Sequence, residues 1–78
     1  MEINIKFFGK LAELTGENEL TLEVPDETGI KELEGRFTEQ YATWNLQTYL
    51  VAVNQNITEQ QALKNGDEVA FLPPFAGG

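Results

Sequence analysis

The chain has no histidine and no cysteine among its 78 residues, which removes most of the side chains that make and break bonds. No Ser-His-Asp or Cys-His arrangement can form, and no nitrogen or sulfur ligand is available to a metal. Gly9, Gly16, Gly29, Gly35 and Gly66 stand isolated, so no glycine-rich loop can cradle a phosphate. The carboxylates are spread along the chain, and none falls in an obvious pocket-forming loop. The remaining candidate is the carboxylate of Gly78, at the end of the run FLPPFAGG.

That run reads as a stalk. Pro73-Pro74 ends a strand-like stretch, because proline cannot donate a ladder hydrogen bond, and two in succession favour extended backbone. Six residues at roughly 3.3–3.6 Å each reach about 20 Å beyond a domain. Gly77-Gly78 carries no side chain to obstruct a narrow channel. The expected role is a tail threaded into another protein's catalytic site, with Gly78 reacting, Gly77 giving access, and Pro73, Pro74, Phe75 and Ala76 positioning it.

The elements that must position this tail follow from periodicity. Glu2–Phe8 alternates, with Ile3, Ile5 and Phe7 on one face, while Phe8 falls on the polar side. Gly9–Leu14 suits a short helical turn ended by Thr15-Gly16. Glu19–Val24 alternates again, and Pro25-Asp26 closes it. Ile30, Leu33, Phe37 and Tyr41 recur at spacings of three and four, predicting an amphipathic helix from Thr28, as N-cap, to about Tyr41. Lys31 denies that cap a capping box, and Gly35 within the helix has no evident reason. Tyr49–Val53 reads as a central strand, Asn54-Gln55-Asn56 as a turn, Thr58–Leu63 as a short helix and Glu68–Leu72 as the last strand. Phe8, Leu72 and Phe75 lie off the inward alternation or beyond it, and are expected to form an exposed docking patch at the tail's base.

One helix can cover one face of a four- or five-stranded mixed sheet, which makes a two-layer α+β domain. With the last strand beside the first, this is the outline of a β-grasp, or ubiquitin-like, fold over residues 1–72, followed by an extended tail at 73–78 with a flexible Gly-Gly end. Thirteen acidic against five basic residues give a net charge of −8, which disfavours nucleic acid as a partner. The acidity serves solubility and steers encounter with basic protein surfaces. Asp67 and Glu68, nearest the tail in sequence, are expected to matter most for that steering. No apolar stretch approaches membrane-spanning length and no signal segment is evident. With no cysteine, a reducing cytoplasmic setting is expected.

Leu63–Gly78 (LKNGDEVAFLPPFAGG) resembles the C-terminal signature of the MoaD-type sulfur carriers, the small subunit of molybdopterin synthase. Ile5–Gly16 (IKFFGKLAELTG) resembles that family's first strand and helix, and Val51–Gln55 (VAVNQ) its central strand and turn. Ala12 departs from the pattern, since many relatives carry Arg there. The resemblance implies an E1-like adenylating partner that uses ATP and Mg to activate Gly78, and a sulfur donor that converts it to a thiocarboxylate. It also implies a larger catalytic subunit, in a heterotetramer, where sulfur passes to cyclic pyranopterin monophosphate during molybdenum cofactor biosynthesis. The chain itself would bind no cofactor. A ubiquitin-like protein modifier, or a carrier for thiamine or tRNA thiolation, would share the activation chemistry.

Overall fold

The computed structural model describes residues 1–74. The elements are β1 (Glu2–Phe7), α1 (Lys10–Thr15), β2 (Glu19–Glu23), α2 (Ile30–Gln40), a 3-10 turn (Trp44–Leu46), β3 (Leu50–Val53), β4 (Asn56–Ile57) and β5 (Glu68–Leu72). They form a five-stranded sheet in the order β2-β1-β5-β3-β4. Antiparallel pairing joins β1 to β2, β3 to β4, and β3 to β5, while β1 and β5 run parallel. The last strand therefore sits in the middle, as the sequence reading expects.

Register fixes which side chains meet. Ile5 lies beside Val69 and Phe7 beside Phe71, while Val51 opposes Phe71 and Val53 opposes Val69. All six are buried, together with Ile30, Leu33 and Phe37 from one face of α2. The helix and sheet meet through aromatic rings. Phe37 lies edge-on to Phe7 at 5.6 Å and to Phe71 at 5.9 Å between centroids. Trp44 meets Phe71 at 5.1 Å in a near-perpendicular arrangement, a geometry that aligns ring edge with ring face.

Several local expectations are corrected. Thr58–Leu63 is not helical. Its backbone bonds instead to the approach of α2, with Ile30 N–H donating to Gln61 O at 3.1 Å and Leu63 N–H to Thr28 O at 2.9 Å. Only Leu63 of that stretch is a buried apolar residue, and the bonds of Gln61 and Leu63 to Ile30 and Thr28 commit backbone groups that a helical turn would use. Asn56 is not part of the turn but begins β4; the turn is Asn54-Gln55, with φ of 50° and 72° at its two central residues, the backbone that suits a tight hairpin. The N-cap of α2 is Gly29, one residue later than expected. The third helical position is thus Glu32, whose carboxylate accepts the Gly29 N–H at 3.2 Å. Thr28 donates its hydroxyl to Pro25 O. Gly35 is exposed, and a Cβ there would meet nothing, so packing does not demand glycine.

A polar chain ties α2 to the start of β3. Trp44 Nε1–H donates to Tyr49 Oη at 3.1 Å, and the Tyr49 hydroxyl donates to Glu34. Burial, and next the bond to Glu34, push the Tyr49 pKa above its ordinary value of 10.0, with the Trp44 bond working the other way. The protonated hydroxyl is thus favoured in the folded state. Its contribution is fully present below pH 10.0 and is lost as pH rises toward the higher folded value. Tyr49→Phe should lower stability by about 1–3 kcal/mol at neutral pH. It should also make the alkaline decline of stability shallower, which denaturant titrations from pH 7 to pH 12 would measure.

Candidate functional site

The tail leaves from β5, the middle strand of the five. Its last backbone tie to β1 is the Phe8 N–H donating to Phe71 O at 3.1 Å. Beyond it, Pro73 and Pro74 carry no N–H. Gly9 faces the exit, with φ 61° and ψ −131°, and a Cβ built there would lie 3.3 Å from Pro73 Cγ. Gly9 O accepts the N–H groups of Ala12 and Glu13, at 3.1 and 3.3 Å, which joins the exit to the first turn of α1.

Around this exit lies a depression of about 480 Å³, bordered by Phe8, Gly9, Leu46, Thr48, Leu72 and Pro74. Phe8 is 43% exposed and Leu46 75% exposed, while Leu72 and Pro74 are half-buried and Pro73 is exposed. The sequence placed Phe8 and Leu72 off the inward alternation, and the structure sets them side by side at one rim. Phe75, Ala76, Gly77 and Gly78, the rest of the expected tail and patch, lie outside the described residues.

Two further residues extend the apolar surface. Leu50 pairs with Leu72 across β3 and β5 and is 39% exposed. It was hidden in the apolar run of Tyr49–Val53, where only the register shows that it points away from α2. Leu46 belongs to a 3-10 turn that leaves no hydrophobic period to read.

The acids sort differently from the sequence expectation. Asp67 does not face solvent as a steering charge. It is buried, with one carboxylate oxygen accepting Asn54 Nδ2 at 2.9 Å and the other accepting the Lys64 N–H at 2.8 Å. It also lies at the start of β5, about 16 Å from the exit for a strand of that length, because an extended chain separates sequence neighbours rapidly. Glu68 is paired with Lys6 at 3.4 Å on the open face of the sheet, where Lys6 also reaches Glu19 at 4.0 Å.

The open, partly apolar sheet face and a C-terminal segment leaving the central strand define a ubiquitin-like β-grasp domain. The chain belongs to the ThiS family, whose model matches residues 5–78. A Chlamydomonas reinhardtii molybdopterin synthase sulfur carrier subunit is 34% identical, over the whole of both chains. Its Haemophilus influenzae counterpart is 35% identical, over 97% of this chain and 99% of its own. Among solved structures, a Pyrococcus furiosus protein described as molybdopterin converting factor, subunit 1, superposes with a TM-score of 0.87 at 21% identity, covering 96% of this chain and 99% of its own. A small archaeal modifier protein 1 of Haloferax volcanii gives 0.80 at 19% identity, over 95% and 98%. A complex of subunits 1 and 2 of the Helicobacter pylori molybdopterin-converting factor gives 0.73 at 27% identity, over 100% of both chains. Among the described residues no helix is long and apolar enough to cross a membrane.

Asp67→Ala should cost about 1–3 kcal/mol in chemical denaturation, because it strands the Lys64 N–H and the Asn54 amide. At matched folded fraction its association rate with partners should equal that of the parent chain.

Proposed function

We propose that the chain is the sulfur carrier of a molybdopterin synthase, with the Gly78 carboxylate as its working group. A carboxylate is a resonance-stabilised anion with a poor leaving group, so sulfide cannot displace its oxygen directly. An E1-like partner using ATP and Mg joins the carboxylate to AMP and releases pyrophosphate. Sulfide from a donor then attacks the acyl carbon and AMP leaves, which gives a thiocarboxylate. In the larger synthase subunit the terminal sulfur attacks a carbon of cyclic pyranopterin monophosphate. The carbon–oxygen bond there breaks as the carbon–sulfur bond forms, the oxygen leaving with the electron pair and taking up a proton. Water cleaves the acyl–sulfur bond, leaving sulfur on the pterin and restoring the carboxylate.

The observation that carries this reading is the full-length alignment with relatives named as sulfur carrier subunits, on a fold whose central strand runs into the double proline. The chain's own contribution is reach and presentation: Pro73 and Pro74 stiffen the base, and Phe75 to Gly77 thread into the partner. The second subunit in the Helicobacter pylori complex supports a larger catalytic partner, and the apolar surface of Phe8, Leu50 and Leu72 is where we place its docking.

Intact mass after incubation with the activating enzyme, MgATP and a sulfide source should rise by the exchange of one oxygen for one sulfur. Deleting Gly78 should abolish both that gain and sulfur transfer while leaving the thermal melt unchanged. Retained transfer in the deletion would overturn the carrier role, and a ladder of conjugates on lysines would identify a protein modifier instead. Separately, Phe8→Ala should weaken binding of the larger subunit by about 1–3 kcal/mol, read by titration calorimetry, as loss of an aromatic anchor does.

A further inference from the structure

We infer that Gly9 is a positioning residue for the tail: its missing side chain seats Pro73 against the turn between β1 and α1 and so sets the direction in which the tail leaves. The functional half of this inference rests on the carrier reading; the geometric half does not.

Bonding to the β1 side ends at Phe71, whose carbonyl accepts the Phe8 N–H, and pairing with β3 ends at Leu72, opposite Leu50. The next two residues that could be held in this way are prolines with nothing to donate. Direction must then come from packing. Pro73 is exposed to solvent, and its ring lies where a side chain on Gly9 would begin. A Cβ there would sit 3.3 Å from Pro73 Cγ, inside the usual 3.5–4.0 Å carbon separation.

Gly9 is also a firm backstop. The neighbouring Phe8 N–H is bonded to β5, and Gly9 O receives two N–H groups from α1. Its φ of 61° with ψ of −131° belongs to a region that side-chain-bearing residues occupy only under strain. Gly16, at the other end of the same helix, is a partial contrast: its φ of 76° with ψ of 11° lies in the left-handed helical region, and a Cβ there would meet nothing within 4 Å. A positive φ is therefore common to both glycines, whereas the more restricted backbone region and the contact with Pro73 belong to Gly9.

Residual dipolar couplings of Pro73 Cα–Hα and Pro74 Cα–Hα, measured against the sheet, report the exit direction without any partner. Gly9→Ala should turn these vectors and slow sulfur transfer by about tenfold or more, since small misplacements near a reacting group are costly. Gly16→Ala should lower the thermal midpoint and leave both vectors and transfer rate alone. Pro73→Ala, which leaves the backbone of Gly9 unstrained, should loosen the same vectors. In its background Gly9→Ala should slow transfer no further, as expected for two changes that act through one contact. Unchanged vectors in Gly9→Ala or in Pro73→Ala overturn the inference, as does an equal loss of transfer from Gly9→Ala in both backgrounds. If the parent chain transfers no sulfur, the carrier reading fails, and the dipolar couplings still decide the role of Gly9.

Discussion

Strand β5 is hydrogen-bonded to β1 on one side and to β3 on the other, and without it the sheet would fall into two hairpins that share no backbone bond. The core has the same dependence. Phe71 packs against Phe7, Phe37, Trp44 and Tyr49, so one residue of β5 links both layers and the 3-10 turn. The segment that must be presented to a partner thus grows directly out of the most constrained strand.

Each end of β5 is secured by different physics. At its start Asn54 and Asp67 form a polar latch: Asn54 Oδ1 accepts the Glu68 N–H at 3.0 Å, Asn54 N–H donates to Glu68 O at 2.8 Å, and Asp67 closes the turn from Lys64. At its finish the hydrogen bonds stop and close packing against Gly9 takes over. Directional bonds suit a buried carboxylate such as Asp67, for which an unpaired oxygen is expensive. Steric seating suits an exit that must remain free of polar ties. Among the described residues, no buried side-chain nitrogen or oxygen lacks a partner.

The fold was legible wherever one face of an element is buried. Alternation gave β1, β2 and β5, and the spacing of Ile30, Leu33 and Phe37 gave α2, because burial imposes those periods directly. Short elements shaped by backbone bonds rather than by a buried face left no such trace. Asn56–Ile57 is too short to alternate, Trp44–Leu46 has no repeat, and Thr58–Leu63 takes its shape from the approach to α2. At the site, Phe8 and Leu72 were readable as residues out of phase with a buried face, and the tail as a run of shrinking side chains. Leu50, Asp67 and Gly9 were not readable in their roles. Register decides the first, spatial distance the second, and a contact between residues far apart in the chain the third.

The outer strands bear on how the protein behaves at high concentration. A sheet with Phe8, Leu50 and Ile57 exposed on its open side invites copies to stack or to extend one another edge to edge. Strand β4 has only two residues, too few to template another chain, and β2 at the opposite edge carries Glu19 and Glu23 facing solvent. Short or charged edges are the usual guard against such polymerisation. One edge is thus charged and the other too short to pair, while Phe8, Leu50 and Leu72 gather at the end of the sheet where Pro73 leaves. A carrier built this way keeps its adhesive surface for unlike partners without becoming its own aggregate.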